Sequence, residues 1–194
     1  MGKSLVIRSE ASYSLNFLVY IQNIFLNRHR PNKQECRFPY ILSKETDFAE
    51  SFEDAFRRLW NEILHNLCEH PAHDLKLFYE RKLLFYEKLF ASNAEQLHTY
   101  NEIYQSFKVW WDSFAGRFAL ERSVSDQNRV LYRELSGAAI QAGIELRKEF
   151  SISLVYDEFP LGDAEGDSYF AVVPIGDYFV KDKQLVSHLL KYMY

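Results

Sequence analysis

Residues 94–122 read AEQLHTYNEIYQSFKVWWDSFAGRFALER. Leu97, Tyr100, Tyr104, Phe107, Trp111, Phe114 and Phe118 recur in steps of three and four, the spacing that returns a side chain to one face of an α-helix. The seam is mostly aromatic. A two-stranded coil fits it poorly, and the thick core of a helical bundle fits it well.

Working outward, residues 47–69 form a second amphipathic helix with Phe48, Phe52, Phe56, Leu59, Trp60, Ile63, Leu64 and Leu67 on one stripe. Pro71 ends it, because its ring cannot continue the hydrogen-bond ladder. Residues 74–90 repeat LFYERKL as LFYEKLF, and apolar side chains cover most of that helix. Such a helix is central in a bundle or lies at an interface, and Leu77, Leu84 and Phe85 are its candidate interface residues. Residues 12–27 carry Phe17, Leu18, Ile21, Ile24 and Phe25 at helical spacing. Residues 125–150 form a fifth helix, with Leu131, Leu135, Ala138, Ala142 and Leu146 facing one way and a small-residue centre, SGAAIQAG. Gly137 and Gly143 each cost such a helix about 1 kcal/mol relative to Ala.

After residue 150 the pattern changes. SISLVY (151–156), SYFAVV (168–173) and DYFV (177–180) read as strands, DEFPLGDAEGD as a loop, and 182–193 as a closing helix. The expected fold is mainly α, of the α+β class: a five-helix bundle-like body over 1–150, then a small C-terminal antiparallel β-element and a terminal helix over 151–194. No linker composition interrupts the chain, so one domain over 1–194 is expected.

Bulk properties narrow the function. The chain has 194 residues, 47% hydrophobic and 26% charged, an ordinary globular balance. Its two cysteines, Cys36 and Cys68, make neither a disulfide framework nor a CxxC pair. The apolar run Leu5-Val6-Ile7 is too short for a signal-peptide core, and no run approaches a membrane span. These features lead us to expect a cytoplasmic protein with no membrane partner. The net charge of −4 is uneven: 1–46 carry seven Lys/Arg against three Asp/Glu, and 151–194 carry three against seven. The basic cluster Arg28, His29, Arg30, Lys33 and Arg37 is too narrow for a nucleic-acid footprint, and no binding module accompanies it.

One stretch invites a metal. Residues 62–74, EILHNLCEHPAHD, gather three histidines, a cysteine and carboxylates, and Glu95-Gln-Leu-His98 repeats the Glu-x-x-His spacing of Glu62–His65. Paired motifs of this kind hold two metals in bundle proteins, but there they face the core. Here both fall away from their apolar stripes, and an intervening helix of about 24 Å separates them. A smaller zinc or iron site at His65, Glu69 and His73 is the residual metal reading, although the spacing matches no established metal motif. Counted from Asp163 of the acidic loop, Ser168 and Pro174 stand where a calcium-binding loop needs glycine and glutamate. No phosphate-binding glycine loop or nucleophile elbow is present.

The reading therefore leans away from an enzyme and needs no cofactor. It favours a non-enzymatic protein-interaction or self-association module whose partner is another protein or a second copy. One alternative is a small-molecule binding or sensing domain with an aromatic pocket between helices 94–122 and 125–150, lined by Tyr100, Tyr104, Phe107, Trp111 and Gly137. A second is a metal-dependent enzyme using the 65–74 corner.

Overall fold

The computed structural model describes residues 5–30, 33–41, 46–144, 149–180 and 182–193. Its elements are β1 (Val6–Glu10), α1 (Tyr13–Asn27), α2 (Phe52–Glu69), α3 (Asp74–Glu80), α4 (Lys82–Leu89), α5 (Ala94–Trp111), α6 (Ala119–Ser123), α7 (Gln127–Gln141), β2 (Glu149–Val155), β3 (Gly166–Asp167), β4 (Phe170–Pro174), α8 (Ile175–Val180) and α9 (Asp182–Leu190). The architecture is mainly helical with a small sheet, as expected. The chain divides into two compact units. A helical unit comprises Tyr13–Asp112 and Phe159–Asp163, and a sheet unit takes the segments up to Ser12, Ser113–Glu158 and from Ala164 onward.

The helical unit is organised by α1. Its sequence, YSLNFLVYIQNIFLN, has too few charges to keep any face in water, and almost every residue is buried. Phe17 meets the rings of Phe78, Phe85, Tyr100, Tyr104 and Phe107 at centroid distances of 5.1–6.2 Å, mostly edge-to-face. Such pairs contribute about 0.5–1.5 kcal/mol each beyond the area they bury. Helices α3, α4 and α5 are thus gathered around one residue.

The same helix buries polar groups, and each must find a partner. Asn27 donates Nδ2 to the Arg37 carbonyl and accepts the Arg37 N–H on Oδ1, both at 2.8 Å. Asn23 donates to the Phe38 carbonyl at 3.0 Å. Gln22 Oε1 accepts the Leu161 N–H at 3.1 Å. These amides act as backbone surrogates, holding two loops against a helix whose own peptide groups are already used. The start of α1 is capped from a distance: the Asp74 carboxylate accepts the N–H groups of Tyr13 (2.6 Å) and Ser14 (3.0 Å).

Four expected elements differ. Residues 74–90 are two short helices, because the chain leaves helical geometry at Arg81 (φ −107°, ψ 28°). The helix 94–122 ends at Trp111. Ser113 caps a new turn by accepting the Ala115 N–H, and Gly116 takes a non-helical conformation (φ −93°, ψ −124°). Phe114 and Phe118 consequently leave the seam and stand 84% and 58% exposed, with their rings edge-to-face on each other. Residues 177–180 are helical, not a strand. The helix expected over 125–150 runs from Gln127 to Gln141, and residues 145–148, including Leu146, lie outside the described residues.

The sheet order is β1-β2-β4-β3. It is not the antiparallel element expected: β1 pairs parallel with β2, β2 parallel with β4, and only the short β3 runs antiparallel. The missed strand is the Leu5-Val6-Ile7 segment, which pairs with a strand at the other end of the chain. Ile7, Phe150, Ile152, Leu154, Ala171 and Val173 fall on one face by alternation and make it apolar. Parallel neighbours need long connections: the chain between β1 and β2 runs through α1 to α7, and β2 is joined to β4 through residues 156–169. Above this face, Ser9 bonds Asn128 of α7 and approaches the Tyr178 hydroxyl of α8 at 3.4 Å.

Replacing Asn27 with Ala removes two hydrogen bonds and leaves the Arg37 peptide groups without their partner. Asn27→Ala is expected to lower unfolding stability by about 1–3 kcal/mol, read as a reduced urea midpoint with an unchanged slope.

Candidate functional site

The His-rich corner is dispersed. His65 and Glu69 are exposed and form an i,i+4 ion pair at 3.6 Å. The His70 and His73 rings lie tilted against each other at 4.8 Å. Asp74 is turned to the start of α1. The turn through Pro71–His73 therefore sends these groups in different directions. Among the described residues, no three His, Cys, Asp or Glu side chains converge to hold a metal.

The expected aromatic pocket residues fall in both units. Tyr100, Tyr104, Phe107 and Trp111 are core of the helical unit. The Tyr104 hydroxyl donates to the Phe78 carbonyl at 3.1 Å, and the Tyr100 hydroxyl donates to the Lys82 carbonyl. Both polar handles are thus used internally. Phe107 stacks on Trp111 and Phe78 on Tyr104. The Trp111 indole N–H is buried without an acceptor among the described residues. Gly137 belongs to the sheet unit, and a Cβ built there would meet no atom within 4 Å.

The expected interface residues are also drawn inward. Leu77 and Phe85 are buried and Leu84 is half-buried. The break at Arg81 leaves a different set outside: Leu75, Tyr79 and Leu83, four residues apart and 51%, 40% and 45% exposed. The Lys108 ammonium lies 5.3 Å from the Tyr79 ring centre.

A cleft that the sequence did not reveal lies in the sheet unit, with a volume of about 600 Å³. Val172 and Val173 of β4 and Leu185 of α9, all buried, supply its apolar wall. Glu165, Asp177, His188 and Lys191 bring charge to it. The Glu165 carboxylate lies 3.4 Å from His188 Nε2, and the His188 ring sits edge-on to Tyr192 at 5.4 Å. The Val172 N–H donates to the Glu165 carbonyl at 2.7 Å and fixes the backbone of that rim. Tyr169 holds a positive φ of 58°, a conformation that bulky residues rarely adopt. Its N–H bonds the Tyr192 carbonyl at 2.6 Å and its carbonyl accepts the Ser151 N–H. Beside the wall stands Ser153, in register with Val172, its hydroxyl buried without a partner among the described residues.

The chain matches no protein-family model, no curated protein and no solved structure.

Two glycines probe this geometry with opposite signs. At Gly166 an added Cβ would lie 2.5 Å from the Phe170 carbonyl oxygen and 2.9 Å from the Tyr192 ring. Gly166→Ala should cost about 1–3 kcal/mol through overpacking. Gly137→Ala, in open space within α7, should instead raise stability by up to about 1 kcal/mol. Paired urea titrations check both.

Burial also raises two tyrosine pKa values in the core. Tyr104 is pushed up to about 12, chiefly by burial, with Tyr79 and Asp112 adding to it. Tyr100 is raised by burial first and by Tyr104 second. An unfolded tyrosine ionises near pH ~10, so the folded state binds these protons more tightly. The contribution of Tyr104 to stability is complete below about pH 10 and is lost as pH rises through about 12. Unfolding midpoints measured across this range should fall, and tyrosinate absorbance from the two should appear only with unfolding.

Proposed function

We propose that the protein is a non-enzymatic self-association module, pairing with a second copy through the outer surface of α3 and α4. The observation that carries the reading is the exposed row Leu75, Tyr79 and Leu83. Large apolar side chains left in water, two on α3 and one on α4, mark a surface that gains by being covered.

The sequence around the row is complementary to itself. A two-fold axis at Arg81, with the helices antiparallel, sets Tyr79 of each copy against Leu83 of the other. It also sets Glu80 against Lys82, twice. A two-fold interface requires this self-complementarity, since the same patch serves both sides. Leu75 then meets the aliphatic stem of Glu87, whose carboxylate stays in water. The row is short, so the pair is expected to be weak, at the low end of interface areas.

Sedimentation velocity over a wide concentration range tests this. A reversible monomer–dimer equilibrium is expected. Leu83→Glu should abolish it without changing the circular dichroism. Glu80→Lys should weaken it, and adding Lys82→Glu should restore it. A chain that stays monomeric at every concentration overturns the reading, as does a dimer indifferent to all three changes.

A further inference from the structure

We propose that the cleft of the sheet unit binds a small zwitterion of the amino-acid type, an amine and a carboxylate on a short apolar body. This inference is independent of self-association.

The cleft's volume falls within the roughly 300–1,000 Å³ of small-molecule sites, and its lining joins an apolar wall to a few charged groups. Those groups carry both signs. Glu165 and Asp177 are carboxylates that accept from an ammonium group, and Lys191 is an ammonium that donates to a carboxylate. A purely cationic ligand would meet Lys191 as a like charge. A purely anionic one would meet Glu165 and Asp177. A molecule bearing both charges answers each side, and its hydrocarbon can lie against Val172, Val173 and Leu185.

The rim is held in place for such recognition. Glu165 is anchored through its carbonyl to Val172, and its carboxylate is steered by His188. The residue after it, Gly166, has no room for a side chain between Phe170 and Tyr192. A rim backbone held in this way leaves less conformational freedom to lose on binding.

The test uses the full chain. Thermal unfolding is followed with each of the twenty amino acids, and the best one is taken to calorimetry beside its decarboxylated amine and its deaminated acid. At least one amino acid should raise Tm by about 3–6 °C at about ten times its Kd. Each analogue lacking one charge should bind roughly tenfold more weakly or worse. Glu165→Gln and Lys191→Gln should each weaken binding to a similar degree, whereas Leu83→Glu should leave it unchanged. The proposal is overturned if none of the twenty binds, if the amine or acid alone binds as well as the amino acid, or if both cleft variants bind normally.

Discussion

Burying α1 on every side is the constraint from which the helical unit follows. A helix with that composition cannot lie on a surface, so others must enclose it, and Phe17 decides which ones. The burial brings an obligation with it. Gln22, Asn23 and Asn27 lose water and must regain hydrogen bonds. They do so by taking up the backbone of segments 37–38 and 161. The loops are ordered because the helix needs their peptide groups, and the helix tolerates amides because the loops supply them.

The same logic explains the polar corner at residues 65–74. A cluster of histidines and carboxylates suggests a shared ligand when read along the chain. In the fold, the member with the most demanding environment is Asp74, and the unsatisfied N–H groups at the start of α1 claim it. The exposed remainder pairs locally, His65 with Glu69 and His70 with His73.

The sheet unit works by long-range pairing. Val6 stands beside Glu149, and β2 lies between two parallel neighbours. Strand β4 continues directly into α8, while the loop before β3 returns to it through Gly166. A cleft with charges of both signs forms where this return meets α9. None of its charged residues stands out in its own segment. Glu165 lies in an acidic loop, His188 on an ordinary amphipathic helix and Lys191 just after its end.

What the sequence determined by itself was the local and periodic part. Apolar spacing placed α1, the end of α2 and the starts of α5 and α7 to within a few residues, since side chains three and four apart share a face whatever surrounds them. It also identified the aromatic row that became core. Tertiary structure alone decided the breaks and the partners. The chain leaves helical geometry at Arg81 and ends α5 at Trp111, where periodicity would have continued. That moved the exposed apolar surface from Leu77 and Phe85 to Leu75, Tyr79 and Leu83. The Leu5–Ile7 run became a strand only because β2 offers it a ladder from the far end of the chain. Strand pairing, remote capping and a cleft all depend on groups distant in sequence. Their energies enter only once the chain has closed those distances.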